Sequence, residues 1–193
     1  MRVAFVFPGQ GSQSLGMLAK LAAASPIIMD TFAEAAPILG YDLWKIVEHG
    51  PAEALNRTEH TQPAMLVAGV ATYRFWRAAG GPVPDLACGH SLGEFTALVC
   101  AEALDFATTV ELVAFRARVM QEAVPAGRGA MAAILGLDDA EVIAACLEAA
   151  QGETVEAVNF NSPAQVVIAG QREAVQRAIQ AASARGAKRA TQR

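Results

Sequence analysis

Cysteine and long apolar segments are both scarce in this 193-residue sequence. Cys88, Cys100 and Cys146 are odd in number and form no C-x-x-C pair, so neither a disulfide framework nor a zinc site is expected. We expect three reduced, mostly buried thiols and no metal. The longest apolar runs, 64–71 and 129–137, fall far short of the roughly 20 residues that cross a bilayer.

The amino-terminal segment MRVAFVFPGQ lacks the longer apolar core of a secretory signal, because Pro8 ends its short apolar run. We therefore expect a first strand in a cytoplasmic protein that has no membrane attachment.

Histidine is scarce as well, with only His49, His60 and His90. A serine nucleophile needs a base within hydrogen-bond reach, and histidine is the usual one. His49 and His60 lie near predicted helix ends, where surface or capping roles are expected. His90 directly precedes Ser91, and it is a poor base for that serine because successive side chains of a turn diverge.

The net charge of −4 argues against general nucleic-acid binding. The charge is uneven, however, because the segment 172–193 carries six basic residues against one acidic residue. Such a segment can meet an anionic partner or can form an ordinary solvated helix face, and the sequence leaves both interpretations open.

Residues 1–125 show two buried-strand patterns, 2–7 and 85–90, among helical periodicities. The predicted helices span residues 27–39, 43–47, 63–79, 91–103 and 106–122. Two strands are too few to cover a parallel sheet, so we expect an incomplete sheet, poor stability of the chain alone and association through exposed sheet edges.

Residues 126–193 follow a different pattern. Strands at 131–137, 155–160 and 165–169 and helices at 138–150 and 171–184 give the order β-α-β-β-α. That order predicts a ferredoxin-like unit that lacks most of its last strand, which would begin near 187–190. The fold class is therefore α/β with two domains, 1–125 and 126–193.

The stretch Gly89-His90-Ser91-Leu92-Gly93 fits G-x-S-x-G between a predicted strand and a predicted helix. This context is typical of a serine nucleophile on a sharp turn, with the following backbone N–H as an oxyanion donor. The glycine-rich loop 9–13 follows the first strand and can bring a second donor, the N–H of Gln10, or can be a plain turn. It does not fit a dinucleotide or P-loop pattern.

Arg116 stands in an otherwise apolar helical stretch. Its guanidinium can bind a carboxylate through two parallel hydrogen bonds, or it can be a solvated or structurally paired arginine.

Several long motifs in order resemble those of the bacterial malonyl-CoA:acyl carrier protein transacylases. They are FVFPGQGSQ at 5–13, GHSLGE at 89–94, GAMAAILGL at 129–137, NFNSPAQVVIAG at 159–170 and GAKRA at 186–190. The resemblance implies an α/β-hydrolase-like subdomain with an inserted ferredoxin-like subdomain. It also implies ping-pong transfer of malonyl, in fatty acid biosynthesis, from malonyl-CoA to acyl carrier protein, without a cofactor, metal or nucleic acid.

The resemblance also assigns residue roles. Ser91 is the expected nucleophile, the backbone amides of Gln10 and Leu92 are the expected oxyanion hole, and Arg116 is expected to bind the free malonyl carboxylate. Contacts with coenzyme A or the carrier protein are expected from Asn159, Asn161, Lys188 and Arg189.

In the family, the general-base histidine follows the GAKRA segment. We therefore expect a chain that is truncated before that histidine and whose own activity is doubtful. One alternative is a catalytically inactive fragment that binds acyl carrier protein or coenzyme A. Another alternative is a serine esterase, but a neutral ester would give Arg116 nothing to pair with.

Overall fold

The computed structural model describes residues 2–124 and 127–192, which form two compact units, Met1–Ala123 and Val124–Arg193. Both units combine helices with strands. The predicted α/β class is confirmed. The predicted domain boundary, between residues 125 and 126, falls outside the described residues.

The first unit is mainly helical. Its elements are β1 (Ala4–Phe7), α1 (Ala19–Ala24), α2 (Pro26–Leu39), α3 (Leu43–His49), α4 (Ala52–Asn56), α5 (Thr58–Ala78), β2 (Leu86–Gly89), α6 (Leu92–Cys100) and α7 (Phe106–Ala123). Strands β1 and β2 pair in parallel, with Ala4 opposite Leu86 and Phe7 opposite Gly89. Val6 and Leu86 on this two-stranded sheet are 73% and 58% exposed, and association through its edges stays a prediction.

Helix α5 forms the centre of the first unit. Residues 61–68, together with Val70 and Ala71, are buried against α2, α6 and α7. Beside α5, Phe32 of α2 meets the Trp44 ring edge-on at a centroid distance of 5.0 Å. The hydrophobic core of this unit is therefore built around the middle of one helix, which is buried on nearly all sides.

The predicted start of this helix at Pro63 was wrong, because α5 begins at Thr58. Proline has no N–H to donate to the carbonyl four residues earlier, which is that of Glu59. The Tyr41 hydroxyl donates to this carbonyl at 3.5 Å. The carbonyl that Pro63 leaves without a helical donor is thus contacted by a hydroxyl from outside the helix, and the helix continues through the proline. The short helices α1 and α4 were not predicted.

Helix α6 crosses the end of β1 at a distance that only glycine permits. A Cβ atom on Gly93 would lie 2.1 Å from the Phe7 carbonyl oxygen. The His90 N–H donates to the same oxygen at 3.1 Å. The start of α6 is thereby fixed on the end of the first strand.

The second unit is a four-stranded antiparallel sheet with two helices. Its elements are β3 (Gly129–Leu135), α8 (Asp139–Ala150), β4 (Val155–Ser162), β5 (Gln165–Gln171), α9 (Arg172–Ala184) and β6 (Arg189–Gln192). The strand order is β4-β5-β3-β6, the arrangement of a ferredoxin-like unit. Strand β6 extends to Gln192 and pairs with residues 132–135 of β3, so the structure contains more of the last strand than the sequence predicted.

The core of the second unit lies between the sheet and its helices. Ile134, Val166 and Ile168 of the sheet are at most 1% exposed and pack with Val142 of α8 and Val175 of α9. Asp138 caps α8 by accepting a hydrogen bond from the Glu141 N–H at 2.9 Å.

The three cysteines are free thiols, but they are not all buried. Cys100 and Cys146 are buried as predicted, whereas Cys88 is exposed, because it lies on β2 of the sparsely covered two-stranded sheet. In residues 2–124 and 127–192, no group of His, Cys, Asp and Glu side chains is placed to hold a metal ion. Across the same ranges, no helix is both long and apolar enough to span a bilayer.

Replacing Gly93 by alanine is expected to lower the free energy of unfolding by about 3 kcal/mol, because the new Cβ overlaps a backbone oxygen that cannot rotate away. Gly40→Ala is the matched control, since Gly40 also lies at a helix end but has open space around it and a φ of +78°. The control is expected to cost only about 1 kcal/mol. Equal losses in urea unfolding would contradict the packing argument.

Iodoacetamide at pH 8 is expected to alkylate Cys88 well before the other thiols of the folded protein. Burial raises the pKa of the Cys100 thiol to about 12, despite the opposing effect of Arg74. Burial, followed by the charge of Glu156, also raises the pKa of Cys146. Peptide mass mapping over time checks this order, with denatured protein as the control in which all three react. Equal rates in the folded protein would overturn the burial assignment.

Candidate functional site

Ser91 stands on a sharp turn between β2 and α6. Its backbone has φ 51° and ψ −105°, a conformation with positive φ that non-glycine residues seldom adopt. The turn is so tight that a Cβ atom on Gly89 would lie 1.9 Å from the Gly93 carbonyl carbon. The predicted strand, turn and helix around G-x-S-x-G are therefore present.

The Ser91 hydroxyl is not used to cap α6, although Ser91 occupies the N-cap position. The N–H groups of Gly93 and Glu94 donate to the carbonyls of His90 and Ser91 at 2.9 and 3.1 Å. Within the described residues, the Leu92 N–H donates to no backbone carbonyl. The first helical N–H and the positive end of α6 thus lie next to the serine, where negative charge is favoured.

The glycine-rich loop after β1 approaches this turn. A Cβ atom on Gly9 would lie 2.7 Å from the His90 carbonyl oxygen, so this approach requires glycine. The Gln10 side chain donates to the Thr58 hydroxyl at 3.1 Å, and Gln13 donates to the Asn56 side chain at 2.8 Å. Both contacts attach the loop to the start of α5 and the end of α4.

Arg116 of α7 reaches the serine across the unit. Its Nη2 donates to the Ser91 Oγ at 3.0 Å. Its Nη1 donates to the Gln62 side-chain oxygen, and its Cζ lies 5.7 Å from the centre of the Phe95 ring. A guanidinium and a candidate nucleophile therefore share one site, built from α5, the β2–α6 turn and α7.

Gln62 belongs to this site, and the sequence analysis missed it. The residue is 0% exposed, and its amide nitrogen donates to the Met120 sulfur at 3.4 Å. The available signal was a polar residue at the start of the apolar run PAMLV on α5. That signal is weak, because the sequence does not reveal which face of α5 meets α7.

The other predicted contact residues lie in the second unit and do not form one cluster. Asn159 and Asn161 lie on β4, whereas Arg189 lies on β6 and Lys188 directly precedes it. Strands β4 and β6 are the two edges of the sheet, with two strands between them. The two pairs are therefore about 14 Å apart at the strand spacing of a sheet.

Part of the basic carboxyl-terminal segment is used within the second unit. Arg177 pairs with Glu153 at 2.7 Å, and Arg185 pairs with Glu141 at 2.7 Å and with Glu148 at 2.8 Å. These two arginines are therefore paired with carboxylates of their own unit. Lys188 and Arg189 are exposed.

His49 and His60 have local partners. His49 contacts the Glu48 carboxylate at 3.3 Å, whereas His60 bonds the Ala54 carbonyl at 2.8 Å and packs on the Tyr41 ring. His60 is therefore a packed structural residue, and His49 is a surface residue, as the sequence predicted.

Comparison with known proteins identifies the family of the chain. The pattern of the acyl transferase domain family matches residues 4–193. The malonyl CoA-acyl carrier protein transacylase of Escherichia coli K12 is 63% identical over 187 residues, which are 97% of this chain and 60% of that protein. The transacylase of Bacillus subtilis is 43% identical over 98% of this chain and 60% of its own length.

Solved structures show the same fold over the whole chain. A malonyl-transacylase in complex with a type II polyketide acyl carrier protein has a TM-score of 0.97 at 57% identity, and the match covers 62% of its length. The transacylase of Coxiella burnetii has a TM-score of 0.98 at 54% identity, with 61% of its length covered. The chain spans about 60% of the length of the curated relatives it matches. The chain therefore belongs to the acyl transferase domain family.

Proposed function

We propose that this protein transfers a malonyl group from malonyl-CoA to acyl carrier protein through an ester on Ser91. The observation that carries the proposal is the 3.0 Å contact between the Arg116 guanidinium and the Ser91 hydroxyl. This contact supports a substrate whose acyl group ends in a carboxylate, because the guanidinium can bind that carboxylate beside the nucleophile. The similar Escherichia coli protein is a malonyl CoA-acyl carrier protein transacylase, and a similar solved structure is a malonyl-transacylase in complex with an acyl carrier protein.

In the first half-reaction, the Ser91 oxygen attacks the thioester carbonyl of malonyl-CoA. The carbon–sulfur bond breaks, coenzyme A leaves as its thiol, and malonyl stays on the serine as an ester. In the second half-reaction, the phosphopantetheine thiol of the carrier protein attacks this ester. The carbon–oxygen bond breaks and the serine hydroxyl is restored.

Negative charge develops on the carbonyl oxygen in both half-reactions. The Leu92 N–H at the start of α6 is the proposed first donor to that oxygen. The Gln10 N–H is the proposed second donor, and its support is the close approach of the loop at Gly9. Losing one such donor typically slows acyl transfer by roughly 10²–10³-fold.

Arg116 is the proposed selector for malonyl. The free carboxylate of the acyl-enzyme is three bonds from the Ser91 oxygen, so it falls beside the guanidinium that already touches that oxygen. A carboxylate can accept two parallel hydrogen bonds from the guanidinium, whereas an acetyl group has no carboxylate to accept them. A neutral ester would leave this charge unpaired, which disfavours the esterase alternative.

The proton of Ser91 needs a base in the first step. His49 and His60 bond other groups, and His90 precedes the serine on the same turn. We therefore place the base in the part of the relatives that this chain does not match. The 193 residues alone are then expected to bind substrate with little turnover. The exposed Lys188 and Arg189, with Asn159 and Asn161, are the proposed contacts for coenzyme A or the acidic carrier, in the cytoplasm.

The protein as encoded means here the full-length gene product. Its incubation with malonyl-CoA is expected to add one malonyl group on Ser91, because this is the hydroxyl that the turn exposes beside Arg116. Intact-protein mass spectrometry followed by peptide mapping measures the adduct. Ser91→Ala is the control and is expected to show none. An adduct that persists in Ser91→Ala would sink the assignment of the nucleophile.

Replacing Arg116 by alanine is expected to slow acylation by malonyl-CoA roughly ten- to a hundred-fold, because a hydrogen-bonded charge pair is lost. Acylation by acetyl-CoA is expected to hold or rise. Arg118→Ala is the matched control, since Arg118 lies two residues further along α7 over the Phe115 ring. Equal slowing with both acyl groups in Arg116→Ala would show that the arginine does not select the carboxylate.

A further inference from the structure

Gln62 differs from three buried threonines of the first unit. Thr31, Thr61 and Thr109 each donate their hydroxyl to a backbone carbonyl four or six residues earlier in the sequence. The Gln62 amide instead bonds two side chains of the facing helix, Arg116 through its oxygen and Met120 through its nitrogen. Its buried polar group is therefore directed at the site rather than at its own backbone.

The contact with Gln62 orients the guanidinium. The guanidinium is rigid and planar, so a bond that fixes Nη1 also determines the direction in which Nη2 points. Nη1 is held by Gln62, and Nη2 reaches the Ser91 Oγ at 3.0 Å. Gln62 has no exposed surface and bonds both Arg116 and Met120, so it can hold this orientation.

The neutrality of the Gln62 amide matters as much as its position. Arg74, Arg177 and Arg185 each pair with a carboxylate. No described carboxylate forms an ion pair with Arg116, whose partners are an amide oxygen and a hydroxyl. The positive charge of Arg116 is thus held in place without being neutralised, and it stays available to a substrate carboxylate.

We propose that Gln62 is a positioning residue that determines acyl-group specificity, because it fixes Arg116 through a neutral acceptor and keeps its charge for the substrate. The inference rests on the proposed function and deepens it. It follows that a carboxylate at position 62 competes with the malonyl carboxylate for the guanidinium. An apolar side chain of the same size leaves the guanidinium unoriented.

The test measures binding, so it does not depend on turnover. Affinities for malonyl-CoA and acetyl-CoA are measured by calorimetry on the protein as encoded, in a Ser91→Ala background that cannot be acylated. Gln62→Glu and Gln62→Met are compared with the parent. Gln180→Glu is the control, because it adds the same charge at an exposed position of α9. Thermal unfolding of each variant separates lost specificity from lost folding.

The preference for malonyl-CoA over acetyl-CoA is expected to fall roughly ten-fold in Gln62→Met and further in Gln62→Glu, with acetyl-CoA affinity unchanged. Gln180→Glu is expected to keep the parent's preference. The proposal is overturned if both Gln62 variants keep that preference, if both acyl-CoA affinities fall equally, or if the parent shows no preference. Preferential binding of malonyl-CoA by the parent, with no adduct on Ser91 of the unmutated protein, would instead count against the proposed transfer reaction.

Discussion

The close crossing of α6 over the end of β1 is the constraint on which the site depends. Glycine at position 93 lets the helix touch the Phe7 carbonyl, and glycine at position 89 lets the strand turn back directly beneath the helix. Ser91, between them, is left with a positive φ and a hydroxyl that does not cap its own helix. The backbone strain, of order 1–3 kcal/mol, is the cost of presenting that hydroxyl at the positive end of α6.

The packing of α5 against α7 supplies the second half of the site. The buried middle of α5 carries Gln62 into contact with Arg116, and Arg116 reaches the serine. Three segments distant in sequence therefore share one hydrogen-bonded chain, from an amide through a guanidinium to a hydroxyl. This chain connects the helical core to acyl-group selection.

Local patterns predicted the parts of the site that depend on local geometry. The strand, the glycines and the helix around Ser91 follow from spacing alone, and the resemblance pointed to Arg116. Gln62 was missed because its role depends on which face of α5 meets α7, which is a tertiary property. The predicted start of α5 was too late because Pro63 normally marks a helix start, and the Tyr41 hydroxyl that contacts the Glu59 carbonyl is distant in sequence.

The most direct measurement is a crystal structure of the protein as encoded after exposure to malonyl-CoA. The account predicts a malonyl ester on the Ser91 Oγ, with the free carboxylate on the Arg116 guanidinium and the Gln62 oxygen still bonded to Nη1. A malonyl carboxylate bound elsewhere, with Arg116 turned away from the serine, would contradict the claim that these residues form one site for a carboxylated acyl group.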